Sequence, residues 1–184
     1  MISESILQGE RVRLRPPQED DLPTFVRWFN DPDVRYWLSM SEGPELTLEA
    51  EREWYEEMRA DPARVVWCME TAEGQPIGNL GLHAIDEEQG RATLGISIGE
   101  KELWGQGYGT DGIRQALRYG FQELGLRRVD LEVDEDNHRG IRCYEKCGFV
   151  REGLLRAHRL RRGQPVNAVV MAVLRGEFER QPWR

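Results

Sequence analysis

Cysteine is scarce, with three in 184 residues, at Cys68, Cys143 and Cys147. A small odd number excludes a disulfide framework and predicts reduced thiols in a cytoplasmic protein. Cys143 and Cys147 stand four apart, but no second pair at metal-ligand spacing joins them, so no metal site is expected. Long apolar runs are missing too. The longest covers residues 168–174, far too short for a membrane span. Residues 1–30 hold Glu4, Glu10, Arg11, Arg13 and Arg15, and no apolar stretch of signal-peptide length. Positive charge is in deficit, because 25 Lys and Arg against 33 Asp and Glu leave −8. That balance argues against a nucleic-acid binder and suits a cationic or neutral partner. Neither nucleic acid nor membrane is an expected partner.

What remains is ordinary globular material. At 39% apolar and 32% charged, the chain is neither disordered nor membrane-embedded. Its length predicts one domain, 1–184, able to bury roughly 70% of its unfolded surface. No repeat, low-complexity tract or linker interrupts it. Residues 11–15 alternate charged and apolar and stop at Pro16 and Pro17, which predicts a strand. Glu19, Asp20 and Asp21 lead a helix carrying Leu22, Phe25, Val26 and Phe29. Pro32 opens a short helix through Val34, Tyr36, Trp37 and Leu38. Thr47 caps another through Trp54, Tyr55 and Met58. Strands follow at 65–69, 77–85 and 92–98. The second half reads as helix 113–124, strand 129–133, helix 137–146, and strands at 149–160 and 166–174. This is a mixed α/β pattern around a central sheet.

The densest signal is Trp104-Gly105-Gln106-Gly107-Tyr108-Gly109-Thr110, which runs directly into the 113–124 helix. A strand, a glycine-rich turn and a helix start together make an anion holder. The first N–H groups of a helix lack internal partners and sit at its positive end. Glycines let the backbone approach a phosphate. No Lys-Ser/Thr pair follows, so the loop is not a nucleotide P-loop, and it lacks the last glycine of the dinucleotide fingerprint. By itself it reads equally as a tight turn with a helix cap.

The second signal is Asn137 to Phe149. Asn137 is placed to cap a helix at the end of the 129–133 strand, and Tyr144 lies two turns along roughly the same face. The plain alternative is an N-cap and a half-buried tyrosine.

Together the two stretches resemble the GNAT acyl-CoA N-acyltransferase superfamily. The glycine loop matches its motif A. Residues 137–149, with Tyr-Glu-Lys-Cys-Gly-Phe at 144–149, match its motif B. Residues 11–37 resemble its N-terminal strand and helices, with Asn-Asp-Pro-Asp-Val-Arg at 30–35. Trp-Gly-Gln-Gly-Tyr at 104–108 is similar to the RimJ/RimL-like ribosomal-protein N-terminal acetyltransferase branch. Motif B also looks like aminoglycoside and polyamine acetyltransferases.

The resemblance implies a mostly antiparallel central sheet, splayed between the fourth and fifth strands, with helices on both faces. It implies acetyl-CoA as cosubstrate and direct attack by a primary amine in a ternary complex, with no metal required. Gln106, Gly107, Tyr108, Gly109 and Thr110 would hold the pyrophosphate. Ile96 and Ile98 would border the splay where pantetheine pairs with the strand edge. Asn137 would contact the pantetheine arm, and Tyr144 would protonate the departing thiolate. The N–H of Ile98 would steady the oxyanion.

The pattern is broken at the general base. Many relatives carry Glu early in the strand before motif A, where this chain has Thr93, Leu94 and Gly95. Glu132, facing the splay from the 129–133 strand, is the expected substitute, with Asp134 on the same side and His83 as a further candidate. The bland reading of Glu132 is a solvated strand residue. Two smaller departures, Trp104 at the opening of motif A and Gly140 in motif B, remove no backbone donor.

The acceptor is expected over residues 36–46, against the N-terminal helices and the last two strands. Trp28, Tyr36, Trp37, Trp54 and Tyr55 give that region aromatic character, and Asp31, Asp33, Glu42 and Glu45 make it acidic. These residues suit a cationic amine, whether protein N-terminus, polyamine or aminoglycoside. They equally suit a helical hairpin with a buried aromatic face. A noncatalytic acyl-CoA-binding module is the reading of another class. The presence of both Tyr144 and the glycine loop favours an enzyme. The edge strands leave room for a homodimer.

Overall fold

Alternating burial builds the sheet in the computed structural model, which describes residues 6–38 and 43–183. In β2 (Val12–Arg15) the apolar Val12 and Leu14 are fully buried, and Arg13 between them is not. A two-residue strand, β1 (Leu7–Gln8), pairs along its outer edge. β3 (Val65–Thr71) is buried throughout because both its faces are covered. Val65, Trp67 and Met69 enter the main core, while Val66 and Cys68 enter a second one. β4 (Pro76–Asp86) and β5 (Arg91–Ile98) complete an antiparallel meander.

β6 (Arg128–Asp134) then lies parallel to β5. The last two strands, β7 (Val150–Arg161) and β8 (Gln164–Leu174), do not follow in sequence order, and β8 inserts between β6 and β7. The eight described strands run β1-β2-β3-β4-β5-β6-β8-β7.

Helices cover both faces, as expected. On one, α4 (Tyr108–Gln122) buries Ile113, Ala116, Leu117 and Phe121, α5 (His138–Lys146) adds Ile141, and α6 (Arg175–Phe178) adds Phe178. On the other, α1 (Leu22–Asn30) and α3 (Leu48–Ala60) close over Val66 and Cys68 with Phe25, Trp28, Tyr55 and Met58.

Some expectations shift. α2 (Pro32–Arg35) is shorter than the sequence suggested, with Tyr36 and Trp37 in the turn after it. α4 begins at Tyr108, ahead of the apolar stripe that starts at Ile113, because small and polar residues occupy its first turn.

Buried charge fixes the N-terminal half. Arg15 forks onto both Asp21 oxygens at 2.6 and 2.7 Å and also donates to Glu70. Glu70 accepts from Arg13 Nε at 2.9 Å. Asp111, in the first turn of α4, accepts the N–H groups of Arg11 and Val12 at 2.7 and 2.9 Å. The start of β2 is thereby tied to the glycine loop.

Candidate active site

The site begins where two strands part. β5 and β6 pair only over Arg91, Ala92 and Thr93 against Arg128, Val129 and Asp130. Beyond that, β5 stays with β4 out to Ile98, while β6 stays with β8 out to Asp134. Counted with the short β1, the splay falls between the fifth and sixth strands. These are the same two segments that the sequence placed fourth and fifth.

The glycine loop closes one end of the splay. Gly105 and Gly107 have φ of 77° and 91°, a region that favours glycine, and Gly107 is the N-cap of α4. Trp104 anchors the loop by donating Nε1–H to the Ile98 carbonyl at 2.8 Å, and the Arg139 guanidinium stacks on the Trp104 ring at 3.8 Å. Gly109 packs between Ile98 and Cys143, where a Cβ would make ordinary contacts at 3.4 Å. The first-turn N–H groups of a fifteen-residue helix therefore open onto the gap.

α5 forms the opposite wall. Asn137 caps it, accepting the Gly140 N–H on Oδ1 at 2.9 Å. A Cβ on Gly140 would lie 3.0 Å from Asn137 Cγ, so glycine lets this amide lie over the helix start. Tyr144 rests on Phe149 with ring centres 5.9 Å apart. Burial pushes its phenol well above the ordinary tyrosine value, so it is a neutral proton donor at cell pH. Thr110 links the two helices. Its hydroxyl lies 3.4 Å from Cys143 Sγ, and its carbonyl accepts from Cys147 Sγ at 3.5 Å.

The thiols are unequal. The contact with Cys147 lowers the Cys143 pKa and raises that of Cys147, and burial pushes Cys68 up to about 12. Iodoacetamide near neutral pH is expected to label the half-buried Cys143 ahead of the buried Cys68 and Cys147, as read by peptide mass spectrometry.

A cleft of about 770 Å³ runs through the splay. It touches Ile96, Ile98, Gly107, Tyr108, Gly109 and Thr110 on one side, and Asn137 and Tyr144 on the other. Among the expected site residues, Gln106 does not border it. Its amide donates to the Glu102 carbonyl, and the loop's contribution is made by its neighbours.

Glu132 borders the cleft with neighbours that the sequence did not place beside it. Its Oε2 already takes His158 Nε2 at 2.8 Å and an Arg159 nitrogen at 3.1 Å. Both side chains come from β7, which strand order alone did not place beside it. Asp134 is held by Arg161 at 3.0 Å. His83 borders the cleft with its imidazole against Gly81 and Gly95, where a Cβ would lie 2.8 and 3.2 Å from Nε2. Burial lowers the His83 pKa.

The acceptor side is also rearranged. Trp37 and Trp54 border the cleft, whereas Trp28 and Tyr55 are core residues. Tyr36 is covered by Arg161 and Arg162 at 4.3 and 5.0 Å. Asp31 and Asp33 are paired with Lys101 at 2.9 and 2.7 Å, and Glu45 is exposed away from the cleft. Glu42 lies outside the described residues. The acid that does face this end is Glu51, which the sequence reading missed. Its only signal was its place one turn before Tyr55 and two before Met58 on a core-facing stripe.

This geometry has known counterparts. Residues 11–150 match the family described as an acetyltransferase (GNAT) domain. The chain is 30% identical to the spermidine N(1)-acetyltransferase of Escherichia coli K12, over 91% of this chain and 88% of that protein. It is 27% identical to an uncharacterized N-acetyltransferase, p20, of Bacillus licheniformis, over 94% and 97% of the two chains. Its fold superposes on a spermidine N-acetyltransferase from Vibrio cholerae, solved in complex with CoA and spermine. The TM-score is 0.84 at 27% identity, covering 91% of this chain and 98% of that one. A splayed sheet with a glycine loop at its mouth, and a family match spanning both, make this chain a member of the GNAT acetyltransferase family.

Proposed function

We propose that this N-acetyltransferase acetylates a small cationic amine of the polyamine class, with Tyr144 as the acid. The observation that carries the reading is the open edge of β5 running from the start of α4 to a neutral, half-buried Tyr144. The spermidine acetyltransferases among its relatives support the acceptor class.

The residues divide the work as follows. The N–H groups of Gly107, Tyr108, Gly109 and Thr110 hold the acetyl-CoA pyrophosphate, and the half-buried Ile96 and Ile98 strand edge pairs with the pantetheine. Asn137 keeps its Nδ2 donor for the same arm, since Oδ1 serves the helix cap. The amine attacks the thioester carbonyl, the oxyanion meets the Ile98 N–H, and the departing sulfur takes the Tyr144 proton.

Thiol release from acetyl-CoA tests this against spermidine, spermine, aminoglycosides and peptides with different N-termini. Turnover of the polyamines is expected. Turnover of peptides alone would move the acceptor to a protein N-terminus, as the RimJ/RimL resemblance implies. Tight acetyl-CoA binding with no turnover at all would replace the enzyme by a coenzyme-binding module. The same preparation tests for a homodimer by light scattering. The outer strand β7, with Val150, Leu154 and Leu160 exposed, is the edge that would pair.

A further inference from the structure

We propose that Glu51, with Asn79 and Ser97, forms the seat of the acceptor's ammonium group, and that Glu51 takes the proton this group loses before attack. The inference rests on the acetyl-transfer reading above and adds the group that receives the amine.

Helix α3 faces the sheet with Glu51, Tyr55 and Met58, spaced one turn apart. Tyr55 and Met58 pack into the second core. Glu51 occupies the next position on that stripe at 3% exposure, where an apolar side chain would serve stability better. Its Oε1 has no hydrogen-bond partner, and no cation pairs with it among the described residues. Asn79 and Ser97 are cross-strand partners on β4 and β5, on the sheet face that carries Cys68 toward α1 and α3. Asn79 Oδ1 and Ser97 Oγ are also buried and unpartnered.

All three side chains line the same cleft. Three oxygens able to accept, two of them on side chains that can also donate, suit an –NH3+ group with its three N–H bonds. Phe29, Trp37, Leu46 and Trp54 give the cleft an apolar wall for the carbon chain. Glu132 faces His158 and Arg159, and Asp134, whose Oδ1 is also without a hydrogen bond, faces Arg159 and Arg161, whereas no cation pairs with Glu51 among the described residues. Burial pushes the Glu51 carboxyl up to about 7, which suits proton exchange near neutral pH.

The step balances. The ammonium gives one proton to the Glu51 carboxylate and frees its nitrogen lone pair. The N–C bond forms as the C–S bond breaks, and the sulfur takes the Tyr144 proton. The tyrosinate recovers a proton from the new amide nitrogen, and Glu51 releases its own to solvent. The products are the amide, the free thiol and one proton.

Glu51→Gln, nearly isosteric, tests the seat with spermidine as probe. Its kcat/KM for spermidine should fall about tenfold or more while the acetyl-CoA KM stays within about twofold. Its melting temperature without ligand should hold or rise, because a buried unpaired charge is gone. The thermal stabilisation that spermidine gives the wild type should vanish. Asn79→Ala should raise the spermidine KM with less effect on kcat.

Unchanged kcat/KM in Glu51→Gln overturns the proposal. So does a fall in melting temperature that accounts for the lost activity, since that marks a structural carboxylate. A base at His83 would show as activity lost in His83→Asn and kept in Glu51→Gln. If the wild type acetylates no amine, the acceptor reading fails, and the thermal shift still decides the seat. A shift confined to the wild type supports Glu51, whereas an equal shift or none overturns it.

Discussion

Tyr144→Phe is expected to lower kcat by roughly 10²- to 10³-fold, the range general acid catalysis supplies, and to leave acetyl-CoA binding nearly intact. The substitution removes one hydroxyl and keeps the ring, so the edge contact with Phe149 and the seating of α5 persist. No hydrogen bond within the described chain depends on that hydroxyl, so its loss falls on the transition state, where thiolate charge develops. The kinetic signature is an equal fall in kcat and kcat/KM with acetyl-CoA affinity unchanged by calorimetry. A kcat within about twofold of wild type would remove Tyr144 as the acid.

The pH dependence carries the same logic. The Tyr144 pKa is raised from its ordinary 10.0, so the proton-bearing form persists to higher pH than in a solvated phenol. Activity should keep rising with pH as the amine deprotonates. No loss from tyrosine ionisation should appear until well into the alkaline range.

Glu70→Ala is expected to cost about 3 kcal/mol of stability, near the low end for breaking a buried ion pair. For a domain of this size that lowers the melting temperature by roughly 6–12 °C. Glu70 is 4% exposed and carries Arg13 on one oxygen and Arg15 on the other. Its loss leaves Arg15 with Asp21 and the Pro16 carbonyl, and the surviving fork keeps the cost from the top of the range. Arg15 joins β2 and β3 to the turn that starts α1, and α1 roofs the second core beside the cleft. The melt should therefore be cooperative and early, with the circular dichroism of the fold retained below it. A shift under about 2 °C would show that Arg15 is satisfied without Glu70.

Much of the machinery is legible before any coordinates. The glycine loop declares itself because its geometry is local. Backbone N–H groups at a helix start need only glycines and a following helix, both contiguous in the chain. Asn137 and Tyr144 belong to one helix, so spacing alone places them on its face. The short α2 and the early start of α4 were misjudged because caps and turns, rather than apolar periodicity, decide those ends.

The surroundings of the acidic side chains were not legible, and Glu132 and Glu51 show why. Glu132 alternates on β6 just as a free carboxylate would. Its fate was decided when β7, reached only through β8, brought His158 and Arg159 over it. Glu51 looks like one acid among many in a charged helix. It stands out only once α3 is turned against the sheet, and burial leaves its oxygen without a partner. The sequence by itself determined the family and the glycine loop at a helix start, since these rest on contiguous residues and backbone geometry. Only the tertiary structure decided which carboxylates face basic side chains and which do not. A side chain's availability depends on the neighbours that packing brings to it, and those neighbours are distant in the chain.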